Sequence, residues 1–409
     1  MEKYELGKKK KLLLLGGSTA QLIAIETAKN LGFYTVLCDY LPDNPGQYIA
    51  DSFYQVSTTD KEAVLSVAKK ENIDGIIAYS SDPAAPTAAF VSKALNLPGM
   101  DYDVVRHFCE KHLFREFLVH KGFNVPKSVE VKIPYDLSSI DYTHLLFPLI
   151  VKPTDSSGSK GVTVIEKESD LEDALIYAQK YSRNGVLIIE EFVLRDHPFV
   201  IEAEIFCING EVVNWGLINS IRDTESNPLL PAAYSYPLEI SESRKNLVKK
   251  EVSRLVSVTG KTSGAFNIEM IIDKHNRLFF LDAGPRNGGN MLPEFISMIS
   301  RKNIVEATIK IAMGDCKGID VALDGDNGGY WGLAVLHSSQ KGKFNGIEYS
   351  PLAKQSLVRE VIQKQSGEDV NPFERCNDLV GLNFLHFKNQ SDMDEVMCNT
   401  NETMKVLLK

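Results

Sequence analysis

Glu269, Asp282 and Arg286 have the types and spacing for charge-handling chemistry, and all three lie in one stretch, FNIEMIIDKHNRLFFLDAGPRNGG, residues 266–289. Apolar runs from Ile268 to Ile272 and from Leu278 to Leu281 flank a polar DKHN turn, the pattern of a β-hairpin. Antiparallel pairing would bring Glu269, early in the first strand, close to Asp282 at the end of the second. Two like charges in a dry site call for a cation. Hard oxygen ligands with no His or Cys beside them favour Mg²⁺, with Mn²⁺ as a substitute. Arg286, four residues past Asp282 on a turn loosened by Gly284, Gly288 and Gly289, would set an anion-binding group beside that cation. The bland alternative is a hairpin with two surface acids, and these residues alone leave both open.

A second stretch, FPLIVKPTDSSGSKGVTVI (147–165), has a strand from Leu149 to Val151 that delivers Lys152, then a Gly/Ser loop from Thr154 to Gly161, then a returning strand. Backbone N–H groups of such a loop can fold over a polyphosphate, and Lys152 adds a fixed positive charge. No G-K-[ST] opens a helix, so this is not a Walker A loop; a flexible surface hairpin is the competing interpretation. In GVLIIEEFV (185–193) an apolar strand ends in two acids, where backbone could meet an adenine edge while Phe192 and Val193 supply an apolar wall.

The rest of the chain must position these groups. At 409 residues it is long enough for two to four cores. With 44% apolar and 24% charged residues it is an ordinary globular composition, and a net charge of -9 argues against a nucleic-acid or anionic-membrane surface. Six scattered cysteines with no C-x-x-C pair argue against zinc or a disulfide framework and fit a reducing cytoplasm. The KKKKLLLL start has too short an apolar run for a signal peptide, and no stretch approaches a membrane span.

Strands at 12–15, 34–39 and 73–80 alternate with helices, which predicts a parallel, doubly wound sheet with ligands at its strand ends. Asp39 lies at a dinucleotide-like distance from Gly16-Gly17, but G-x-G-x-x-G is absent; the turn could still dock an anion. A helix is expected over 104–121, carrying Lys111, with a domain boundary near 112 and Gly122 as stop. Residues 199–210 alternate and then turn at Asn209-Gly210. Residues 217–237, with Arg222 and Asp223, lack periodicity and are expected to be a long loop facing the acceptor. One helix is expected over 293–313, a linker at DGDNGG (324–329), and a small α+β cap to the end.

Together these pieces resemble the ATP-grasp superfamily of carboxylate-amine ligases. The resemblance implies an α/β fold: an N-terminal doubly wound domain (1–112), an ATP-grasp domain (113–320) with a lid at about 125–195 and a metal-binding part at about 196–320, and a C-terminal α+β cap (321–409). It implies that Lys111 and Lys152 hold ATP phosphates, and that Asp155, Ser156, Ser157, Gly158 and Gly161 belong to the phosphate loop. Glu190, Glu191, Phe192 and Val193 match the adenine hinge, Glu269 and Asp282 the Mg²⁺ ligands, and Arg286 the arginine that steadies an acyl phosphate. Asp196 or Glu202 takes the place of the ribose-binding acid. Gly284 replaces the Asn that often supplies a further metal ligand. The implied partners are a small carboxylate and an amine, in a homodimer as is common in the family. Bicarbonate as the carboxylate, or nucleotide binding without turnover, are the alternatives. Asp282→Asn is expected to abolish ADP formation while leaving the fold intact; unchanged turnover in an ADP-release assay would remove the metal assignment.

Overall fold

The four leucines of β1 (Lys11–Leu15) are buried on both faces, as a central parallel strand requires. The computed structural model describes residues 9–156, 158–317, 319–321 and 328–409. Around β1 lie β2 (Tyr34–Asp39), β3 (Ser52–Gln55) and β4 (Gly75–Ile77), all parallel, in the order β3-β2-β1-β4. Leu13 and Leu15 face α2 (Lys61–Glu71) and α3 (Ala85–Leu95), whereas Leu12 and Leu14 face α1 (Leu22–Asn30).

The single helix expected over 104–121 is two, α4 (Tyr102–Cys109) and α5 (Lys111–His120). Glu110 between them is extended, at φ −109° and ψ 110°. The Lys111 amide leaves the helical ladder to donate to Thr154 O at 2.8 Å, a tertiary bond that outcompetes propensity. That swap ties the start of α5 to the Gly/Ser loop.

An antiparallel sheet follows, ordered β5-β8-β6-β7: β5 (Ser128–Lys132), β6 (Leu149–Pro153), β7 (Thr163–Ile165) and β8 (Val186–Glu191), backed by α6 (Leu171–Gln179). The main sheet has eight strands. Its first half contains β9 (Val200–Ile208), β10 (Glu211–Arg222), β11 (Pro231–Tyr236), β12 (Gly264–Ile272) and β13 (Leu278–Gly284). The long loop expected over 217–237 is therefore mostly strand, with only 223–230 irregular. These strands are buried on both faces, so they lack the alternation that marks a half-exposed strand.

Ile201, Ala203, Ile205 and Cys207 of β9 enter a core with α5 and α7 (Glu242–Ser257). Glu202 and Glu204 take the opposite face. The expected helix over 293–313 is also two, α8 (Leu292–Ser300) and α9 (Ile304–Ala312), broken at Arg301, whose φ is +55°. Residues of α9 then cover the α1 face of the N-terminal sheet.

Three C-terminal strands extend the same main sheet: β14 (Tyr330–Leu336), β16 (Leu357–Ile362) and β18 (Gly381–Phe387), giving the order β13-β12-β9-β10-β11-β14-β18-β16. β15 (Gly342–Tyr349), β17 (Asp369–Val370) and β19 (Met404–Leu408), with α10 (Pro351–Ser356), α11 (Gln390–Met397) and α12 (Thr400–Thr403), complete the chain. Residues 324–327 of the expected linker lie outside the described residues. Among the described residues no helix is long and apolar enough to cross a membrane.

Gly216 in β10 marks how tightly the main sheet is built. A Cβ there would sit 2.3 Å from Glu204 O on β9 and 2.9 Å from Ile296 on α8. Gly216→Ala is expected to cost about 1–3 kcal/mol in a urea titration, with the far-ultraviolet spectrum unchanged.

Candidate active site

A cavity of about 840 Å³ runs between the three parts of the molecule. At its centre Glu190 of β8 is 1% exposed and lies between two cations. Arg115 Nε donates to its Oε1 at 2.6 Å, and Lys152 Nζ pairs with its Oε2. Arg115 also donates to Phe280 O (3.2 Å) and Leu281 O (2.9 Å), so α5 bolts the lid sheet to β13. Burial would raise the Glu190 carboxyl, but Arg115 and Lys152 outweigh it and bring it down to about 2. Burial lowers the Lys152 ammonium against the pull of Glu190. Two cations against one carboxylate leave one surplus positive charge.

The Glu190 side chain thus anchors Lys152, and the residue lines the cavity. Glu191 also lines the cavity, and its carboxylate accepts from Leu146 N at 3.1 Å. Phe192 and Val193 do line the cavity, with Ile150, Ile271 and Leu281, and make a narrow apolar slot.

Glu202, Glu269 and Asp282 form one rung across β9, β12 and β13, since Glu269 is the register partner of both other acids. The register slips between Glu269 and Met270: Met270 pairs with Phe280 and Glu269 with Asp282, leaving Leu281 as an extra residue. This bulge rotates Asp282, which strict alternation from Phe280 would bury, into the cavity. Lys111 Nζ donates to Asp282 Oδ2 (3.2 Å) and Ser156 O (3.1 Å), and Arg222 Nη2 to Glu269 Oε2 (2.9 Å). Glu202 is buried with Oε1 accepting from Asn267 at 2.7 Å, while Oε2 has no partner. Burial first, then the Glu269 charge, push its carboxyl well above the usual value.

Among the described residues no three His, Cys, Asp or Glu side chains form a metal cage. Two hard carboxylates on neighbouring strands nonetheless suit Mg²⁺, which keeps waters and takes substrate phosphates as its other ligands. Asp196, the other candidate for the ribose contact, instead pairs with Arg244 at 2.7 Å away from the cavity.

Arg286 is held on both sides. Its Nε and Nη2 donate to Asp82 at 2.6 and 2.5 Å, and its Nη1 to Asn287 O (2.9 Å) and Asn267 Oδ1 (3.2 Å). Gly284 makes room for this pair: a Cβ there would lie 2.7 Å from Asp82 Oδ1. Behind it, burial pushes the Glu204 carboxyl up to about 8, although Arg286 and the Gly288 amide oppose the rise.

In the Gly/Ser loop, Gly158 and Gly161 have φ of +65° and +75°; Ser157 lies outside the described residues. Ser156 Oγ donates to Lys160 O, and Ser159 Oγ to Leu229 O on the 223–230 loop. Asp155 does not line the main cavity; its carboxylate accepts from the amides of Arg183 and Asn184 and fixes the base of the loop. Asp39 is buried. It accepts from Gly17 N (2.7 Å) and Leu41 N (2.9 Å), which closes the glycine turn from within.

Residues 145–294 match an ATP-grasp domain. The chain carries an ATP-grasp domain. It is 27% identical over 287 residues to the formate-dependent phosphoribosylglycinamide formyltransferase of Bacillus subtilis, covering 68% of this chain and 71% of that one. The Bacteroides thetaiotaomicron protein of the same name is 22% identical over 404 residues, covering 94% and 96%. By fold it is similar to an L-amino acid ligase from Bacillus licheniformis (TM-score 0.80, 19% identity, covering 98% and 99%). Phosphoribosylglycinamide synthetase from Anaerococcus prevotii is also similar (TM-score 0.75, 19% identity, covering 98% and 100%).

The ATP-grasp match holds Lys152, the slot, the acid rung and Arg286, but Asp82, Lys111 and Arg115 lie before it. Arg115, Asp82, Asn267 and Glu204 carried no motif in the sequence. Two had a usable signal: Arg115 stands one helical turn after Lys111, and Asp82 follows the end of a parallel strand, where ligands collect.

Glu190→Gln would leave Arg115 and Lys152 buried without their anion, a loss of about 3–5 kcal/mol. Because the folded carboxyl is depressed, its contribution is present above the unfolded value of 4.5 and fades as pH falls through about 2. The expected result is a urea midpoint that drops at neutral pH, with the gap between variant and parent narrowing on the acid side.

Proposed function

We propose that this ATP-grasp protein is an ATP- and Mg²⁺-dependent ligase that activates a carboxylate as an acyl phosphate and joins it to an amine. The observation that carries this is the buried surplus charge of the Arg115–Glu190–Lys152 cluster. It lies beside a glycine-rich loop and faces two hard-oxygen acids. An uncompensated buried cation is costly, and a phosphate anion removes that cost.

In this proposal residues 1–112 meet the acceptor, 113–320 hold the nucleotide between the 125–195 lid and the 196–320 metal-binding part, and 321–409 cap the far end. Phe192 and Val193 clasp adenine, and the unpartnered Glu202 oxygen accepts from a ribose hydroxyl. Lys111 and Lys152, with the Gly158 to Gly161 backbone, hold the phosphates. Glu269 and Asp282 would hold Mg²⁺, which supplies charge neutralisation along the phosphate chain. The substrate carboxylate oxygen bonds to the γ-phosphorus as the bond to ADP breaks. The amine nitrogen then attacks the acyl carbon, loses its proton, and phosphate leaves. Arg286, aimed by Asp82, steadies the charge on the acyl oxygen. Six free cysteines fit a reducing cytoplasm, the setting we propose, with a homodimer as the assembly.

The test is Mg²⁺-dependent ADP release with hydroxylamine as the amine, across a panel of carboxylic acids and bicarbonate. Hydroxamate with one class of acid is the expected outcome, and Lys152→Met should lower its rate by about 10²-fold or more. ADP release with bicarbonate alone would move the chemistry to carboxyphosphate. ATP binding with no ADP release across the panel would overturn ligase turnover.

A further inference from the structure

Behind the cavity wall one buried pair joins two distant parts of the chain. Asp223, at the start of the 223–230 loop, and His337, one residue past β14, are 114 positions apart, and neither side chain has any exposed surface. His337 Nε2 lies 3.2 Å from Asp223 Oδ1. The same carboxylate accepts from the amides of Glu225 (3.3 Å), Ser226 (2.6 Å) and Asn227 (2.7 Å). Burial would raise it, but the His337 bond and these amides bring it down to about 2, so it is ionised and only accepts. His337 Nδ1 faces a second acceptor, Val335 O, at 2.9 Å, so both bonds form only when each ring nitrogen carries a proton. The ring also packs on Phe373, with centroids 4.2 Å apart.

From this pair the bonds run forward to the Gly/Ser loop of the lid by two routes. In the first, Asp223 N donates to Leu230 O (2.9 Å) and Leu229 N to Asn227 Oδ1 (3.0 Å), which closes the 223–230 loop. The Leu229 carbonyl then accepts from Arg222 Nη1 and from Ser159 Oγ, each at 3.2 Å. That Arg222 is the one that holds Glu269. In the second, Asn227 Nδ2 donates to Glu374 O (3.3 Å), next to Phe373, and a Cβ at Gly158 would meet Cys376 Sγ at 3.5 Å. Pro228, Leu229 and Cys376 line the cavity, and Asp223 and His337 support them from behind.

We infer that Asp223 and His337 are positioning residues: together they hold the Leu229 carbonyl where it fixes Arg222 on one side and Ser159 of the Gly/Ser loop on the other. This rests on the ligase reading for what the two sides hold, phosphate at the loop and metal at Glu269, though not for the mechanical link. A pair that only stabilised the fold would lower the unfolding midpoint and leave the Gly/Ser loop of the folded molecule as it was. A positioning pair loosens that loop first, because the loop has few other anchors.

The test is hydrogen–deuterium exchange of the full-length protein without ligand, read peptide by peptide, in three variants. His337→Phe keeps a ring against Phe373 and removes both donors, His337→Gln keeps a donor for Asp223, and Ser159→Ala cuts the link at the lid. His337→Phe is expected to speed exchange at least about tenfold in both 158–161 and 223–230, with α6 and α7 unchanged. His337→Gln should restore most of the protection, and Ser159→Ala should loosen 158–161 alone. Where His337→Phe does not fold, Asp223→Asn takes its place with the same outcome expected. Unchanged exchange at 158–161, or a rise spread evenly through the chain, overturns the inference. Calorimetric titration with Mg²⁺ and a non-hydrolysable ATP analogue separates it from the ligase reading. Loosening at 158–161 in a protein that binds no nucleotide would sink the ligase reading alone; hydroxamate formation with 158–161 unmoved in the variants would sink this inference alone.

Discussion

The buried carboxylate of Glu190 is the interaction on which the geometry of the cavity depends. Its two cations come from different bodies: Arg115 from the helix after the N-terminal sheet, and Lys152 from the lid hairpin. Arg115 spends its other donors on the carbonyls of Phe280 and Leu281, next to the bulge that aims Asp282. A buried ion cluster of this kind contributes little net stability against an apolar equivalent. What it supplies is register, because one carboxylate on β8 holds a cation from α5 and a cation from the lid hairpin at the same time. The lysine proposed to meet phosphate and the acid proposed to meet metal are therefore placed by one contact.

The main sheet divides its two faces by chemistry. Along β9 and β12 the residues Ile201, Ala203, Ile205, Phe266, Ile268 and Met270 enter one core, and the residues between them are Glu202, Glu204, Asn267 and Glu269. The core face stays apolar so that the other can carry a row of acids. Burying those acids has a cost, visible in the raised carboxyls of Glu202 and Glu204. The main sheet runs on into the C-terminal strands, so β14, β18 and β16 belong to the same hydrogen-bonded sheet as the acid rung.

Much of this was legible in the sequence, for identifiable reasons. The parallel N-terminal sheet announces itself through alternating strands and helices, and the hairpin at Glu269 and Asp282 through its polar turn. What was not legible is tertiary. The break at Glu110 follows from a hydrogen bond to Thr154, 44 positions away, and no local propensity encodes it. The strands in 217–237 were hidden because burial on both faces erases alternation. The facing of Asp282 depends on a bulge at Leu281, which a two-residue period cannot anticipate. Asp82, the partner of Arg286, is 204 positions from it in sequence.

Across the cavity three cations each have a carboxylate of their own: Lys111 has Asp282, Arg222 has Glu269 and Arg286 has Asp82. Such matching keeps long side chains in place before any ligand arrives, so less ordering entropy remains to oppose binding. It also sets a selection rule. In the proposed reaction Lys111–Asp282 can be released without loss, because the metal takes the acid as the phosphate takes the cation. Arg286–Asp82 differs, because both partners lie outside the acid rung and the pair is bidentate. Two parallel bonds fix the guanidinium plane as well as its position, which makes Asp82 the post against which Arg286 is aimed.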